Sequence, residues 1–249
     1  MTAATRQLTA VLFDMDGVLV DSTDAHVAAW TQFLEERGIP VPEGGVRSLF
    51  GRRAQEALAM LLDREPDAPI VRAALAELEG YATALLADHA PGERLVPGAP
   101  ELIHELLGAG WKVAVGTSAR RHVAEHALGA LLPAFDVVVT AEDVSRGKPD
   151  PAVYLAAARR LAVPADACVV VEDAVAGVQA GVAAGMYVVA VPTTAPIAQL
   201  CDAGAERVLE RVTDLPRLLA REGAVEPVTG VRTPPRQSPR GPAHVHHDR

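Results

Sequence analysis

Cysteine is almost absent: Cys168 and Cys201 are the two in 249 residues. Two thiols cannot form a disulfide framework for a chain of this length, and their separation is not that of metal ligands. Cys168 lies in the apolar run Cys168-Val169-Val170-Val171, which points to a buried, inert thiol. Aromatic residues make up only 4%, so the core must be built from Ala, Val and Leu. Basic residues are in deficit, 23 against 32 acidic ones, for a formal net charge of −9. That balance excludes a general nucleic-acid or anionic-membrane binder, which needs a basic surface. It leaves room for an anionic small substrate, because a metal ion or a few local cations reverse the field inside a site. No apolar run reaches the ~18 residues of a membrane span. Met1 to Gln7 lack the apolar centre of a signal peptide. A soluble cytoplasmic protein is expected, as a monomer.

Hydrophobic residues, at 49%, are enough for a sizeable core. The length suits one larger domain and one smaller one. Leu8 to Phe13 is a short apolar run that stops at Asp14 and reads as a buried strand. Helical patterns follow over Asp24–Arg37, ended by Gly38, then over Ala54–Leu62 and Ile70–Asp88. No strand is evident between Asp21 and His89. From Ala99 the pattern alternates: helix to Gly108, strand over Trp111–Gly116, helix over Arg121–Leu131, strand over Phe135–Val139. A helix over Pro151–Leu161, a strand over Ala167–Val171, a helix over Ala174–Ala184 and a strand over Tyr187–Val191 come next. A short strand at Arg207–Leu209 and a helix at Leu215–Ala220 complete it. Val-rich strands alternating with helices predict an α/β fold, a parallel sheet covered on both faces. The expected domains are a core of 1–21 and 93–221, an inserted all-helical cap of 22–92, and a disordered tail of 222–249. The tail's His244, His246 and His247 read as solvated rather than metal-binding.

In an open parallel sheet, ligands collect beyond the carboxyl ends of the strands. The residues following those ends are informative. Asp14-Met15-Asp16-Gly17 follows the first strand and Thr117-Ser118 the second. Thr140 to Asp143 and then Gly147-Lys148-Pro149-Asp150 follow the third, and Glu172-Asp173 the fourth. Asp14, Asp16, Glu172 and Asp173 would crowd like charges, which Lys148 alone cannot balance. A hard divalent cation with oxygen ligands can, which implies Mg²⁺. One carboxylate of the Asp14/Asp16 pair can attack phosphorus while the other handles a proton. Thr117 and the turn after it suit phosphate oxygens.

These residues resemble the haloacid dehalogenase superfamily. Asp14-Met15-Asp16-Gly17-Val18-Leu19-Val20-Asp21-Ser22 is similar to its first signature, Thr117-Ser118 to its second, and Gly147-Lys148-Pro149-Asp150-Pro151 to its third. Val171-Glu172-Asp173 through Gly181 is similar to its fourth. The resemblance implies a Rossmann-like core with a helical cap inserted after the first strand. It implies that Asp14 forms an aspartyl-phosphate and that Asp16 protonates the leaving oxygen, then activates water. It further implies Mg²⁺ held by Asp14, the Asp16 backbone carbonyl and Asp173, with Glu172 assisting, and a phosphoryl group held by Thr117, Ser118 and Lys148. Dehalogenases lack an acid at the place of Asp16, so phosphate chemistry is favoured.

Within that family, Asp21-Ser22, His26 and Trp30 resemble the beta-phosphoglucomutase cap. The loop Ser48-Leu49-Phe50-Gly51-Arg52-Arg53-Ala54 resembles that of sugar and polyol phosphatases. The mutase carries cations where Phe50 and Ala54 stand here, and it needs them to grip a bisphosphate. The expectation is therefore a Mg²⁺-dependent phosphatase acting on a small phosphorylated metabolite, with the mutase as the alternative. His26, Gly51, Arg52 and Arg53 are expected at the substrate. A non-catalytic regulator binding such a metabolite would have lost a nucleophile, acid or metal ligand, and none is lost.

Overall fold

The computed structural model describes residues 7–86 and 89–221. The predicted tail, with its three histidines, lies outside them. Among the described residues six strands form one parallel sheet: β1 Ala10–Phe13, β2 Lys112–Gly116, β3 Val137–Val139, β4 Cys168–Glu172, β5 Tyr187–Ala190 and β6 Arg207–Val208. Their order is β3-β2-β1-β4-β5-β6. This doubly wound order places a crevice beyond the carboxyl ends of the central strands. Register is direct there, with Phe13 opposite both Val115 and Val171.

Successive residues of a strand face opposite sides. Val11, Phe13, Val113, Val115, Val169 and Val171 pack on one face against α4 (Ala99–Gly108), α5 (Arg121–Leu128) and α9 (Leu215–Arg221). Ala10, Leu12, Ala114, Val170 and Val188 face the other way, against α6 (Ala152–Leu161), α7 (Val175–Ala183) and α8 (Ile197–Asp202). Both faces are covered, so these strands read as continuous apolar runs. Cys168 is buried, and burial pushes its thiol up to about 11.

Between β1 and α4 stand α1 (Thr23–Arg37), α2 (Ala54–Leu62) and α3 (Pro69–Leu86). They enclose their own apolar cluster, including Phe33, Leu34, Leu58 and Val71. Gly38 ends α1 in the left-handed conformation, φ 60°, as the sequence predicts. The two chain segments that join this helical block to the sheet run side by side. Asp21 N–H donates to the Arg94 carbonyl, and Val96 N–H to the Leu19 carbonyl, each at 2.8 Å.

The strands and α-helices match the sequence reading to within a few residues at their ends, with two larger differences. The helix expected over Arg121–Leu131 stops at Leu128, because Gly129 turns the chain at φ 50°, ψ −124° and Pro133 follows. α8 was not predicted; six residues after Pro196 are too few to show a helical period.

The loop after β3 is clamped by Asp143. Its carboxylate accepts the Thr140 N–H at 2.8 Å and the Arg121 and Arg160 guanidinium groups at 2.7 Å. Burial acts to raise this carboxyl, but the Arg160 and Thr140 hydrogen bonds win and hold it down at about 2. A folded value below the ordinary 3.8 contributes stability that is present above pH 3.8 and lost as pH falls toward 2. Replacing Asp143 by Ala should cost about 1–2 kcal/mol at neutral pH. In urea titrations the gap from wild type should narrow across that acid window.

Candidate active site

The chain leaves the sheet at Asp14. Its N–H still donates to the Val171 carbonyl at 2.9 Å, which fixes the carboxylate at the seam of β1 and β4. Gly17 makes the following turn at φ 74°, and a Cβ on it would overlap the Asp173 carboxylate. Glycine is therefore required twice over, by backbone conformation and by contact.

Lys148 enters from the loop between β3 and α6 and is fully buried. Its Nζ donates to Asp14 Oδ1 and to Glu172 Oε1, both at 2.6 Å. It also sits 4.9 Å above the Tyr154 ring, a cation–π contact. Tyr154 Oη donates to the same Glu172 oxygen at 2.6 Å. The other oxygen, Oε2, accepts the Asp173 and Ala174 N–H groups at 3.0 and 3.3 Å. Four donors thus fix Glu172. Gly177 makes room for it, since a Cβ there would overlap the carboxylate.

Asp16 stands apart from this cluster. Its half-buried carboxylate accepts the Ser22 hydroxyl at 2.6 Å and lies 3.3 Å from His26 Nε2. Desolvation would raise Asp16, but the His26 hydrogen bond and charge and the Ser22 hydroxyl hold it below the usual carboxylate range. Conversely, burial would lower His26, and the Asp16 hydrogen bond and charge keep it above its usual value. Asp14 differs again. Burial pushes it up to about 7, with Glu172 and Asp16 adding to the rise and Lys148 opposing it. Asp173 is raised well above the usual range by burial, then by Glu172 and Asp14; the Thr194 hydroxyl and Lys148 offset this only in part.

Asp14, Glu172 and Asp173 each offer an oxygen within 4.8 Å of the others, all buried. Three buried carboxylates facing one ammonium lack positive charge. An all-oxygen donor set fits a hard divalent cation. Glu172 already holds Lys148, Tyr154 and two amides, so Asp14 and Asp173 are the more open donors. The Asp16 carboxylate lies outside the set.

β2 delivers buried Thr117, whose Oγ1 accepts the Ala119 N–H at 3.0 Å. Ser118 Oγ donates to the Gly51 carbonyl at 2.8 Å, so the loop tip before α2 rests beyond the carboxyl end of β2. Asp14, Asp16, His26, Arg52, Thr117 and Ser118 share one pocket of about 150 Å³. Phe50 meets the His26 ring edge-on, with centroids 6.0 Å apart.

Arg53, expected at the substrate, is placed elsewhere in this structure. It does not line this pocket; its guanidinium turns to the carbonyls of Ala141, Val144 and Ser145. Those carbonyls need donors, and Arg53, the residue just before α2, supplies them. Tyr154 was missed. Its signal was an aromatic residue, in a chain poor in them, placed six residues beyond Lys148.

The sequence profile of the haloacid dehalogenase-like hydrolases matches residues 8–185. The chain is 39% identical over 196 residues to validoxylamine A 7'-phosphate phosphatase of Streptomyces hygroscopicus subsp. limoneus, covering 77% of this chain and 89% of that one. It is 39% identical over 191 residues to hexitol phosphatase A of Escherichia coli, covering 76% and 85%. It is 31% identical over 218 residues to beta-phosphoglucomutase of Bacillus subtilis, covering 86% and 94%. A hydrolase of known crystal structure from Pseudomonas syringae superposes with a TM-score of 0.76 at 29% identity, over 86% of this chain and 98% of the other. With strand order, strand-end carboxylates and profile in agreement, this chain belongs to the haloacid dehalogenase-like hydrolases.

Proposed function

We propose that this chain is a Mg²⁺-dependent phosphatase of a small sugar or polyol phosphate. The observation that carries this is the contrast between Asp14 and Asp16. One is buried against Lys148; the other faces the pocket beside Ser22 and His26. Two carboxylates two residues apart suit the two roles of nucleophile and proton handler, because Lys148 and the cation expected beside Asp14 would hold it ionised, while Asp16 shares its hydrogen bond with a His26 kept above its usual value.

Asp14 attacks phosphorus, and the bond from phosphorus to the leaving oxygen breaks. The Asp16–His26 pair gives that oxygen a proton: His26, kept above its usual value by Asp16, carries it, and Asp16 passes it on. Water then attacks the aspartyl-phosphate and yields its proton to Asp16, releasing phosphate. Lys148, Thr117 and Ser118 bind the phosphoryl oxygens, while Glu172 and Tyr154 orient Lys148. Asp14, Asp173 and the Asp16 backbone carbonyl would hold Mg²⁺, which supplies neutralising charge to the phosphoryl group. Residues 22–92 act as a cap that closes on the paired linkers and excludes bulk water. Arg52 and Gly51 face the alcohol part of the substrate.

A second reading, a phosphomutase, draws on His26 against Asp16 and on the mutase relative. It is weakened by Phe50 and Ala54, which leave no cation at those places to grip a second phosphate.

Phosphate release from a panel of hexose, hexitol and glycolate phosphates should require Mg²⁺ and cease with EDTA. Asp14→Asn should lower it at least about a thousandfold, as loss of a nucleophile does. Release that survives that substitution would overturn the assignment; no release, with interconversion of beta-glucose 1-phosphate and glucose 6-phosphate, would move it to the mutase. Gly177→Ala should drive the Glu172 carboxylate off its seat and free Lys148. Turnover should then collapse, and the fold should lose about 1–3 kcal/mol, the usual scale of overpacking. Activity and urea titrations on that variant check both.

A further inference from the structure

The loop that delivers Lys148 is gripped from the helical side. Arg53, at the N-terminal edge of α2, donates from Nη2 to the Ala141 and Val144 carbonyls at 2.6 and 2.5 Å. Its Nη1 donates to the Ser145 carbonyl at 3.2 Å. One turn further, Glu56 Oε1 accepts the Gly147 N–H at 2.8 Å and lies 4.0 Å from Arg53 Nη1. One guanidinium and one carboxylate thus bind three carbonyls and an amide of a single loop. The amide belongs to the residue immediately before Lys148.

Gly147 gives an independent sign of this grip. Its φ lies outside the left-handed region, so its backbone does not demand glycine. A Cβ on it would stand 2.7 Å from both Arg53 Cγ and Glu56 Oε2. The closeness of the two latch side chains, rather than backbone strain, is what keeps this position small.

We propose that Arg53 and Glu56 are positioning residues that couple cap closure to the placement of Lys148. The proposal rests on the reading of Lys148 as a phosphoryl-binding group. The sheet-side end of the loop is held by Asp143 with Arg121 and Arg160. The Lys148 end takes its hydrogen bonds from Arg53 and Glu56 on the helical side, and opening of the cap would break them. A substrate that draws the cap closed therefore also sets the ammonium. A ligand that leaves it open meets a lysine whose loop is held from the sheet side alone, and closure becomes a filter on turnover.

The test uses the full chain with Mg²⁺ and whichever panel substrate wild type turns over fastest. Glu56→Ala should lower kcat by about tenfold, the scale of one lost hydrogen bond to a charged group. KM should move far less, and Tm should stay within a degree or two. Glu56→Gln keeps a side-chain oxygen for the Gly147 N–H and should restore most of the rate. Amide exchange across 144–148 should quicken in Glu56→Ala and return toward wild type in Glu56→Gln. A Glu56→Ala enzyme with wild-type kcat and unchanged exchange would overturn the proposal. So would a Gln variant as impaired as the Ala variant. If wild type released no phosphate, or Asp14→Asn released it as fast, the phosphatase reading would fail instead. The latch would then be judged by exchange alone, with unaltered exchange in Glu56→Ala overturning it.

Discussion

The Lys148 ammonium, buried between Asp14 and Glu172, is the interaction on which the rest of the site depends. Taking such a charge out of water costs several kcal/mol unless partners replace the lost hydration. Two carboxylates at 2.6 Å and the face of the Tyr154 ring do so. That arrangement demands that β1 and β4 be neighbours, because Asp14 follows one and Glu172 ends the other. It demands that α7 leave room beneath Glu172, which Gly177 provides. Removing either carboxylate would leave the ammonium poorly compensated and disturb the fold as well as the chemistry.

The charge balance is deliberately incomplete. Lys148 faces Asp14, Glu172 and Asp173, and the last is pressed well above its usual range by burial and by its two neighbours. A protein could relieve this with a second basic side chain. A ligand can relieve it too, and then binding and charge neutralisation become one event. On the proposed reading, Mg²⁺ and a phosphoryl group bring opposite charges to the same place, each making room for the other. The fixed dipoles around Glu172 and Thr117 do not have to reorganise when they arrive.

Much of this was legible in the sequence. Strands buried on both faces leave continuous Val-rich runs, so Val113 to Val115 and Val169 to Val171 announce themselves. The residues just past those runs gather at one rim by topology alone, which is why Asp14, Thr117, Lys148 and Asp173 could be named together. Other features depend on direction rather than order. Arg52 and Arg53 are adjacent, yet one lines the pocket and the other turns to the loop carbonyls. Their order along the chain does not say which. Glu56 matters through a partner 91 residues away, and no local pattern marks it; Tyr154 stands near Lys148 in the sequence, but nothing there says that it reaches Glu172, 18 residues on. α8 is shorter than two helical turns and leaves no period to read.

Selectivity then rests on few groups. The pocket of about 150 Å³ is small, with carboxylates and hydroxyls on the sheet side and His26, Phe50 and Arg52 opposite. Phe50 stands edge-on to His26 and adds an apolar face beside it. Ala54 adds no charge. Arg52 is the one cation that the loop offers to this pocket, Arg53 being committed to Ala141, Val144 and Ser145. One guanidinium can hydrogen-bond to the hydroxyls of a sugar or polyol, or pair with a single carboxylate. Gripping a second phosphate in two alternating orientations needs more positive charge than that. On the proposed reading, a wall with a single guanidinium suits a substrate with one phosphate and a polar, compact alcohol, and water rather than a second sugar hydroxyl as the group that receives the phosphoryl.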